Sequence, residues 1–481
     1  MSELTAGVPT RRHARAGTPP ALPILVLLSL AQFMVILDVS VVNVALPTIG
    51  RSLSLSREAL TWVITAYTVT FGGLLILGGR LADALGRKTT FLAGLTLFTL
   101  ASLTAGLADS GAALIPSRVA QGVGAAILSP SALSILTTEF TGRERNRALG
   151  VWGAIGAAGA AVGVLVGGVL TAGPGWQWVF YVNIPVGVLV AVGTAVVVPA
   201  RPRDPSARLD VPGALTGTAA VALVIYGLVR AGERGWTSPW ALAPIGLGVL
   251  LALAFVAIER AAAHPLVPTR LVTRPPLPGA VVVMLVATGA LLGMFFLNSI
   301  YLQHVIRYSP LKVGLVFLPV ALFTAIGAHL GSRHVARIGP RPTAAAGLLV
   351  AATGIAVMAW WGVGGGLTAL LVGFLLAALG IGATFVTAIT TGLSSVEEQH
   401  SGVASGVFNT GHEVGGSLGI ATLSTVAGAS LVQGPGGAAL TGFQHAYLAA
   451  AVASAVLAAA SAAILLPRGR LASGTGPRFI H

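Results

Sequence analysis

The chain has 481 residues, of which 55% are hydrophobic and only 9% are charged, and its mean hydropathy is +0.88. A soluble domain carries roughly 25% charged residues, so this composition excludes a soluble enzyme and a disordered chain and predicts a polytopic membrane protein. Cysteine is absent, which excludes disulfides, a thiolate nucleophile and a cysteine-ligated metal.

Fourteen apolar runs are each long enough to cross a bilayer as a helix, which takes about 20 residues. The strands of a β-barrel would be shorter and would alternate between apolar and polar residues, so the predicted fold class is all-α. The spans are predicted at residues 22–46, 59–79, 90–108, 111–137, 148–170, 176–198, 211–231, 239–258, 277–303, 310–331, 343–361, 366–392, 402–432 and 441–466.

The basic residues predict the orientation of these spans. The net charge is +14, and of 28 Lys and Arg residues, 21 lie in the two tails and the even-numbered gaps and 6 in the odd-numbered gaps. Because cytoplasmic loops are enriched in basic residues, both termini are predicted in the cytoplasm. Basic residues that alternate from loop to loop form no contiguous stripe, which argues against nucleic-acid binding.

Two longer polar gaps follow spans 6 and 8 and divide the chain into groups of six, two and six spans. Two related six-helix bundles are a transporter architecture, with the substrate site near the membrane midplane between them. The predicted organisation is a cytoplasmic tail 1–21, a first bundle 22–198, a linker region 199–276 with inserted helices at about 211–231 and 239–258, a second bundle 277–466 and a cytoplasmic tail 467–481.

Asp38 lies well inside span 1. A charge at a helix centre costs at least about 2.5–3.5 kcal/mol on insertion scales, so an intramembrane carboxylate is a functional candidate. It could exchange a proton or bind substrate during transport. The alternative is a structural carboxylate that accepts hydrogen bonds from its own helix or a neighbour.

Glu413 and Arg118 are the other ionisable candidates inside spans. Glu413, in span 13, is predicted as a second protonation site or an attractant for cationic substrates, against a packing role at a glycine-rich interface. Its neighbour His412 diverges by roughly 100° on a helix, so the two side chains need not be partners. Arg118 shares a helix face with Gln121. It could hold a carboxylate ionised until substrate or a helix movement displaces the arginine, or it could form a static ion pair.

Several ordered motifs cover nearly the whole chain. Residues 79–88 read Gly-Arg-Leu-Ala-Asp-Ala-Leu-Gly-Arg-Lys, and residues 37–47, 118–126 and 176–187 carry further motifs. Together they resemble the major facilitator superfamily, in particular its 14-span drug:proton antiporter branch. The resemblance implies that Arg118 takes part in proton transfer. It also implies a latch of the outward-open state, formed by Gly79, Asp83, Gly86, Arg87 and Lys88.

The resemblance also covers span 5, where the branch has a glycine-rich antiporter motif. This chain has Val164 where that motif carries proline, and its seam glycines are Gly159, Gly163, Gly167 and Gly168. The polar and aromatic candidates for a central substrate cavity are Asn43, Tyr67, Gln121, Phe180, Phe408 and Asn409. Packing in the core or against lipid is the alternative for the aromatic residues.

The predicted function is therefore proton-coupled efflux of amphipathic drugs or antibiotics, cations among them, by a monomer in the bacterial cytoplasmic membrane. The proton gradient supplies the energy, with no cofactor. The sequence carries no phosphate-binding loop for ATP and no visible nucleophile–base or metal arrangement, so it does not predict an enzyme. The alternatives are a dedicated exporter of one metabolite, siderophore or antibiotic, and a non-transporting membrane sensor.

Overall fold

The computed structural model describes residues 21–199, 211–262, 265, 267, 268, 271, 273, 275–363, 366–394, 396–428, 437–467, 470–471 and 479–480. Within these residues the regular secondary structure is helical except for two short strands that pair antiparallel, β1 (Arg470–Leu471) and β2 (Phe479–Ile480). The helices are α1 (Ala21–Ser52), α2 (Arg57–Leu85), α3 (Arg87–Gly106), α4 (Gly111–Glu139), α5 (Gly142–Ala172), α6 (Trp178–Tyr181), α7 (Asn183–Val197), α8 (Val211–Arg234), α9 (Pro239–Ala261), α10 (Leu277–Ile300), α11 (Pro310–Ile338), α12 (Pro340–Val357), α13 (Leu367–Gly392), α14 (Ser401–Ala427) and α15 (Gly437–Ala460).

The all-helical prediction is confirmed. In the described part of the chain, 12 helices are long and apolar enough to cross a membrane, and a shorter apolar stretch covers Val162–Ala172. Predicted spans 5 and 13 correspond to α5, with 31 residues, and α14, with 27, which stand outside that set of twelve. Both are more polar: α5 begins with a charged turn, and α14 carries His412 and Glu413 among many glycines and serines.

Two glycines form direct junctions between consecutive helices. Gly86 has φ +94° and separates α2 from α3 without a loop, and Gly339 has φ +91° and does the same between α11 and α12. A positive φ costs glycine little because it has no Cβ. These two helix junctions, one in each half of the chain, therefore share a glycine with positive φ.

The helices pack in two sets with defined contacts between them. In the first, α4 packs on α2 and α3, and α1 packs on α5 and α7. In the second, α13 packs on α11 and α12, and α10 packs on α14. The sets meet where α5 packs on α11 and where α14 packs on α2 and α4.

The α8–α9 pair lies against the contact between α2 and α14. A Cβ at Gly73 of α2 would lie 2.9 Å from the Cβ of Ala222 in α8, and one at Gly232 of α8 would lie 3.4 Å from the Cα of Ala421 in α14. The inserted pair therefore contacts both sets of helices. After α9, the backbone N–H of Val267 donates to the Glu259 carboxylate at 3.0 Å.

Candidate functional site

Asp38 lies at the centre of a buried hydrogen-bonded cluster. Its side chain is 0% exposed, and its Oδ2 accepts from Arg118 Nη1 at 2.5 Å. Its Oδ1 accepts from Gln121 Nε2 at 3.0 Å and from Asn183 Nδ2 at 2.9 Å, and both amides also donate to Ser102 Oγ. Helices α1, α3, α4 and α7 thus converge on one carboxylate.

Arg118 is held from several directions. Its Nε donates to the backbone carbonyl of Val63 at 3.0 Å, and its Nη1 donates to Gln121 Oε1 at 2.8 Å as well as to Asp38. The centre of its guanidinium lies 4.3 Å from the ring centroid of Tyr67 and 5.9 Å from that of Phe180. Removing one partner of a buried ion pair typically costs about 3–5 kcal/mol, so each charge depends strongly on the other.

The structure brings together Asp38, Arg118 and Gln121, which the sequence had singled out separately. It adds Ser102 and Asn183, which the sequence analysis did not select. Asn183 follows a pair of tryptophans in residues 176–187, where its amide within an apolar run was the available signal. Ser102 has no comparable signal, because a single serine is common in a membrane helix.

His412 and Glu413 form a second polar site, on α14. His412 Nδ1 lies 3.1 Å from Glu413 Oε1, so these neighbours are partners in this conformation, a pairing that the sequence had not required. Both side chains are long enough to bend towards each other across the angle between their Cβ directions. They are 35% and 22% exposed, and a Cβ at Gly72 of α2 would lie 3.6 Å from that of Glu413. In the described structure Glu413 lies outside the hydrogen-bonded cluster around Asp38.

Asp83 caps the first turn of α14. Its two carboxylate oxygens accept from the backbone N–H groups of Gly402 and Val403, both at 2.9 Å. The first N–H groups of a helix have no partner within the helix, and a negative charge there is favoured by the helix dipole. A Cβ at Gly402 would lie 2.6 Å from Asp83 Oδ1, so the bare backbone at this position permits the contact.

Further bonds link the two sets of helices around this cap. Ser134 Oγ of α4 lies 2.7 Å from Ser401 Oγ of α14, and Arg145 Nη2 of α5 donates to the Leu393 carbonyl at 2.7 Å. Just before α14, burial lowers the pKa of the His400 imidazole, with Glu397 opposing the shift and Arg80 adding to it. The lowered pKa favours the neutral imidazole, and a neutral side chain avoids a positive charge at the positive end of α14.

The other residues of the expected latch have different places. Gly79 packs directly on the backbone of Gly402, and Gly86 forms the break between α2 and α3. Arg87 begins α3. Lys88 Nζ donates to the carbonyls of Ala195 and Val198, at 2.8 and 2.6 Å. Lys88 thus caps the C-terminus of α7, within the first set of helices.

The candidates for a substrate cavity divide into buried and accessible side chains. Tyr67, Phe180 and Phe408 are at most 1% exposed, and in this conformation they contact other side chains instead of open space. Asn43 is exposed, and its amide donates to the carbonyl of Val39 in its own helix. Asn409 is partly exposed.

A polar bridge crosses from α14 to α4 and α1. Asn409 Nδ2 donates to Ser129 Oγ at 3.5 Å, and Ser129 Oγ donates to Gln32 Oε1 at 3.0 Å. Gln32 is a further residue that the sequence analysis missed, because a single glutamine near the start of a span carries no motif.

Three of the four seam glycines face α1. A Cβ at Gly159 would lie 2.9 Å from Ile36, one at Gly163 would lie 2.5 Å from the Cβ of Ser40, and one at Gly167 would lie 3.0 Å from the Cα of Val41. Gly168 has no neighbour within 4 Å. Val164 lies within the unbroken helix α5, beside Gly314 at the start of α11.

A profile described as the Major Facilitator Superfamily matches residues 28–420. The chain belongs to the major facilitator superfamily. Puromycin resistance protein pur8 of Streptomyces alboniger is 41% identical over 407 residues, 84% of this chain and 81% of that protein. Cephamycin export protein CmcT of Amycolatopsis lactamdurans is 36% identical over 504 residues, 100% of this chain and 99% of that protein. Multidrug resistance protein Stp of Mycobacterium tuberculosis is 33% identical over 85% of this chain and 76% of that protein.

Solved structures share the fold. The human organic anion transporter MFSD10 (TETRAN) has a TM-score of 0.66 at 16% identity, covering 92% of this chain and 100% of that chain. The proton:xylose symporter XylE has a TM-score of 0.64 at 13% identity, and the match covers 92% of this chain and 96% of that chain. The profile and the curated relatives confirm the resemblance seen in the motifs: the chain is a membrane transporter of this superfamily, related to its drug and antibiotic resistance exporters, and not an enzyme.

Proposed function

We propose that this transporter exports amphipathic drugs or antibiotics in exchange for protons, by alternating access. The observation that carries the proposal is the fully buried Asp38–Arg118 pair, a carboxylate held inside the membrane by donors from two other helices, α4 and α7. The relatives named for resistance to puromycin, cephamycin export and multidrug resistance support the class of substrate.

The pair suggests how a proton could drive the cycle. As an ion pair, Asp38 and Arg118 compensate each other's charge in a region where an isolated charge is costly. Protonation of Asp38 removes that compensation and weakens the contact between α1 and α4. Loss of the proton on the other side of the membrane restores the pair. The proton is thus exchanged at Asp38 Oδ1 or Oδ2, and Arg118 responds to its presence.

The bonds around Asp83 support a conformation that is closed at the cytoplasmic end. The cap on α14, the Ser134–Ser401 contact and the Arg145–Leu393 bond all join the two sets of helices at one end. With the termini in the cytoplasm, that end is the cytoplasmic one. In the proposed cycle these bonds break when the transporter opens to load substrate.

The proposal includes fourteen spans, with α5 and α14 crossing the membrane beside the twelve more apolar helices. It divides them into bundles at 22–198 and 277–466, joined by a linker region that carries the α8–α9 pair. Both termini lie on the cytoplasmic side of a bacterial cytoplasmic membrane, as the basic residues indicate. The transporter acts as a monomer and takes its energy from the proton gradient.

The full-length similarity to a cephamycin export protein favours a second candidate, the export of one endogenous antibiotic. This transporter would use the same proton coupling with a narrower cavity. A siderophore or another metabolite would be handled in the same way. Breadth of transport, and not its mechanism, separates the two candidates.

The test is transport by everted membrane vesicles under an imposed pH gradient, with ethidium and puromycin as probes. The native chain is expected to accumulate at least one probe, and Asp38→Asn is expected to lose accumulation while still exchanging probe across the membrane. Asp38→Glu, which keeps the charge, is the matched control and should retain part of the activity. Accumulation that survives in Asp38→Asn would overturn the role of Asp38. Failure of the folded native protein to move either probe would favour the dedicated exporter.

A further inference from the structure

Tyr67 contacts the Asp38–Arg118 pair through the face of its ring. The side chain is 1% exposed, and the guanidinium centre of Arg118 lies 4.3 Å from the ring centroid, well within the roughly 6 Å range of a cation–π contact. The Tyr67 hydroxyl has no hydrogen-bond partner among the described residues. The ring, and not the hydroxyl, is therefore the part of this side chain that serves the site.

The partners of Arg118 differ in whether their charge can change. Gln121 and the Val63 carbonyl are neutral at every stage, and Ser102 and Asn183 of α3 and α7 add only neutral groups around the carboxylate. The ionisable groups close enough to act electrostatically on Tyr67 are Asp38 of α1, Arg118 of α4 and Glu413 of α14, and of these the Arg118 guanidinium lies over its ring. Of the groups that contact the guanidinium directly in the described structure, Asp38 is the one that can lose its charge.

A protonated Asp38 leaves the guanidinium with a full charge in a buried site. The face of an aromatic ring carries partial negative charge and does not titrate, so it attracts the guanidinium throughout the cycle. The contribution of this attraction to the stability of the site increases once the carboxylate no longer neutralises the arginine, because a cation–π contact is strongest where water and counterions are absent.

We propose that Tyr67 is a positioning residue for proton coupling, whose ring holds Arg118 beside Asp38 while Asp38 is neutral. The inference rests on the proposed coupling through Asp38. With the ring in place, the ion pair re-forms as soon as the proton leaves. Without the ring, Arg118 can turn to other acceptors and the proton no longer controls the movement of the helices.

A double-mutant cycle tests the inference without any substrate. Asp38→Asn imitates the neutral carboxyl group, and thermal unfolding of the purified protein in detergent is measured with and without Tyr67→Leu. The fall in Tm caused by Tyr67→Leu is expected to be about twofold larger in the Asp38→Asn background. Tyr67→Phe keeps the ring and should cause the same small change in both backgrounds. Equal falls for Tyr67→Leu in the two backgrounds would overturn the proposal.

Phe71→Leu is the matched control. Its ring lies one turn further along α2, with its centroid 5.6 Å from that of Tyr67, and among the described residues the cation–π contacts of Arg118 are with Tyr67 and Phe180 and not with this ring. It should lower Tm equally in both backgrounds. If Tyr67→Leu does not fold, Phe180→Leu replaces it, with a smaller difference in the same direction because that ring is 5.9 Å from the guanidinium. Equal falls for that variant would likewise overturn the proposal.

Transport separates positioning from packing. With ethidium and puromycin as probes, Tyr67→Leu should lose at least about tenfold of its gradient-driven accumulation while exchange is retained, and Tyr67→Phe should restore accumulation. Equal loss of accumulation and exchange would assign Tyr67 a packing role and overturn the proposal. Coupling that survives in Asp38→Asn, or a native chain that moves neither probe, would be a failure of the proposed function, and the unfolding cycle would still decide on Tyr67.

Discussion

Asp38 illustrates how a membrane protein keeps a carboxylate in its interior. One charged donor and two amides satisfy its oxygens, and those amides share Ser102 as a further acceptor. Hydrogen bonds to charged groups contribute about 1.5–3 kcal/mol each, so the cluster offsets much of the cost of burial. The arrangement also makes the cluster responsive, since adding one proton removes the only negative charge that contacts Arg118 in the described structure.

Glu413 lies in a different environment from the buried Asp38. It is partly exposed and paired with His412. We predict that Glu413→Gln weakens transport of cationic ethidium about tenfold in KM, equivalent to ~1.4 kcal/mol, because it removes the negative charge that attracts the cation. Transport of neutral chloramphenicol should change little. His412→Gln, which keeps the carboxylate, is the control and should preserve the preference for the cation. An equal loss for both probes in Glu413→Gln would contradict the prediction.

At the scale of elements, the contact between α1 and α5 depends on glycines spaced four residues apart. We predict that Gly163→Ala destabilises the protein by about 1–3 kcal/mol, because the added methyl group would meet the Cβ of Ser40 at 2.5 Å. Gly168→Ala is the matched control on the same helix. It meets nothing within 4 Å and should be neutral or slightly stabilising, since alanine favours helix over glycine. Thermal unfolding in detergent measures both, and equal effects would show that α5 does not pack tightly on α1.

A second contact between elements is the cap that Asp83 of α2 places on the first turn of α14. We predict that Asp83→Asn shifts the protein away from the conformation closed at this end, because the neutral amide loses the favourable interaction with the helix dipole, worth about 0.3–2 kcal/mol. The measurement is the yield of a disulfide between Ser134→Cys and Ser401→Cys, which should fall. Lys88→Met is the control. It uncaps α7 within one set of helices, so it should lower Tm and leave the disulfide yield unchanged.

For the whole molecule, alternating access requires that α4 and α14 separate during the cycle. The Ser134 and Ser401 hydroxyl oxygens are 2.7 Å apart, so cysteines at these positions are within reach of a disulfide bond. The chain has no native cysteine, so the pair would be free of competing thiols. We predict that oxidation of the Ser134→Cys, Ser401→Cys variant arrests transport of ethidium and puromycin, and that reduction restores it. Each single-cysteine variant should be unaffected. Transport that continues through the cross-linked protein would rule out movement at this end.

The sequence by itself determined the helical class, the family and the positions of the twelve long apolar helices. These follow from local properties: hydropathy sets where a helix can cross the membrane, and the motif at residues 79–88 stands within one short segment. It also selected Asp38, Arg118 and Gln121, because polar side chains within apolar runs are conspicuous without any knowledge of packing.

Only the tertiary structure decided which of these residues meet. The contact of Asn183 with Asp38, 145 positions apart, and that of Asp83 with the first turn of α14 depend on how distant helices cross. The same holds for Tyr67, which was a candidate for the substrate cavity from the sequence. In the structure its ring lies against the guanidinium of Arg118. Helix packing is determined by the fit of side chains across the whole fold, and hydropathy and spacing along one chain do not contain that information.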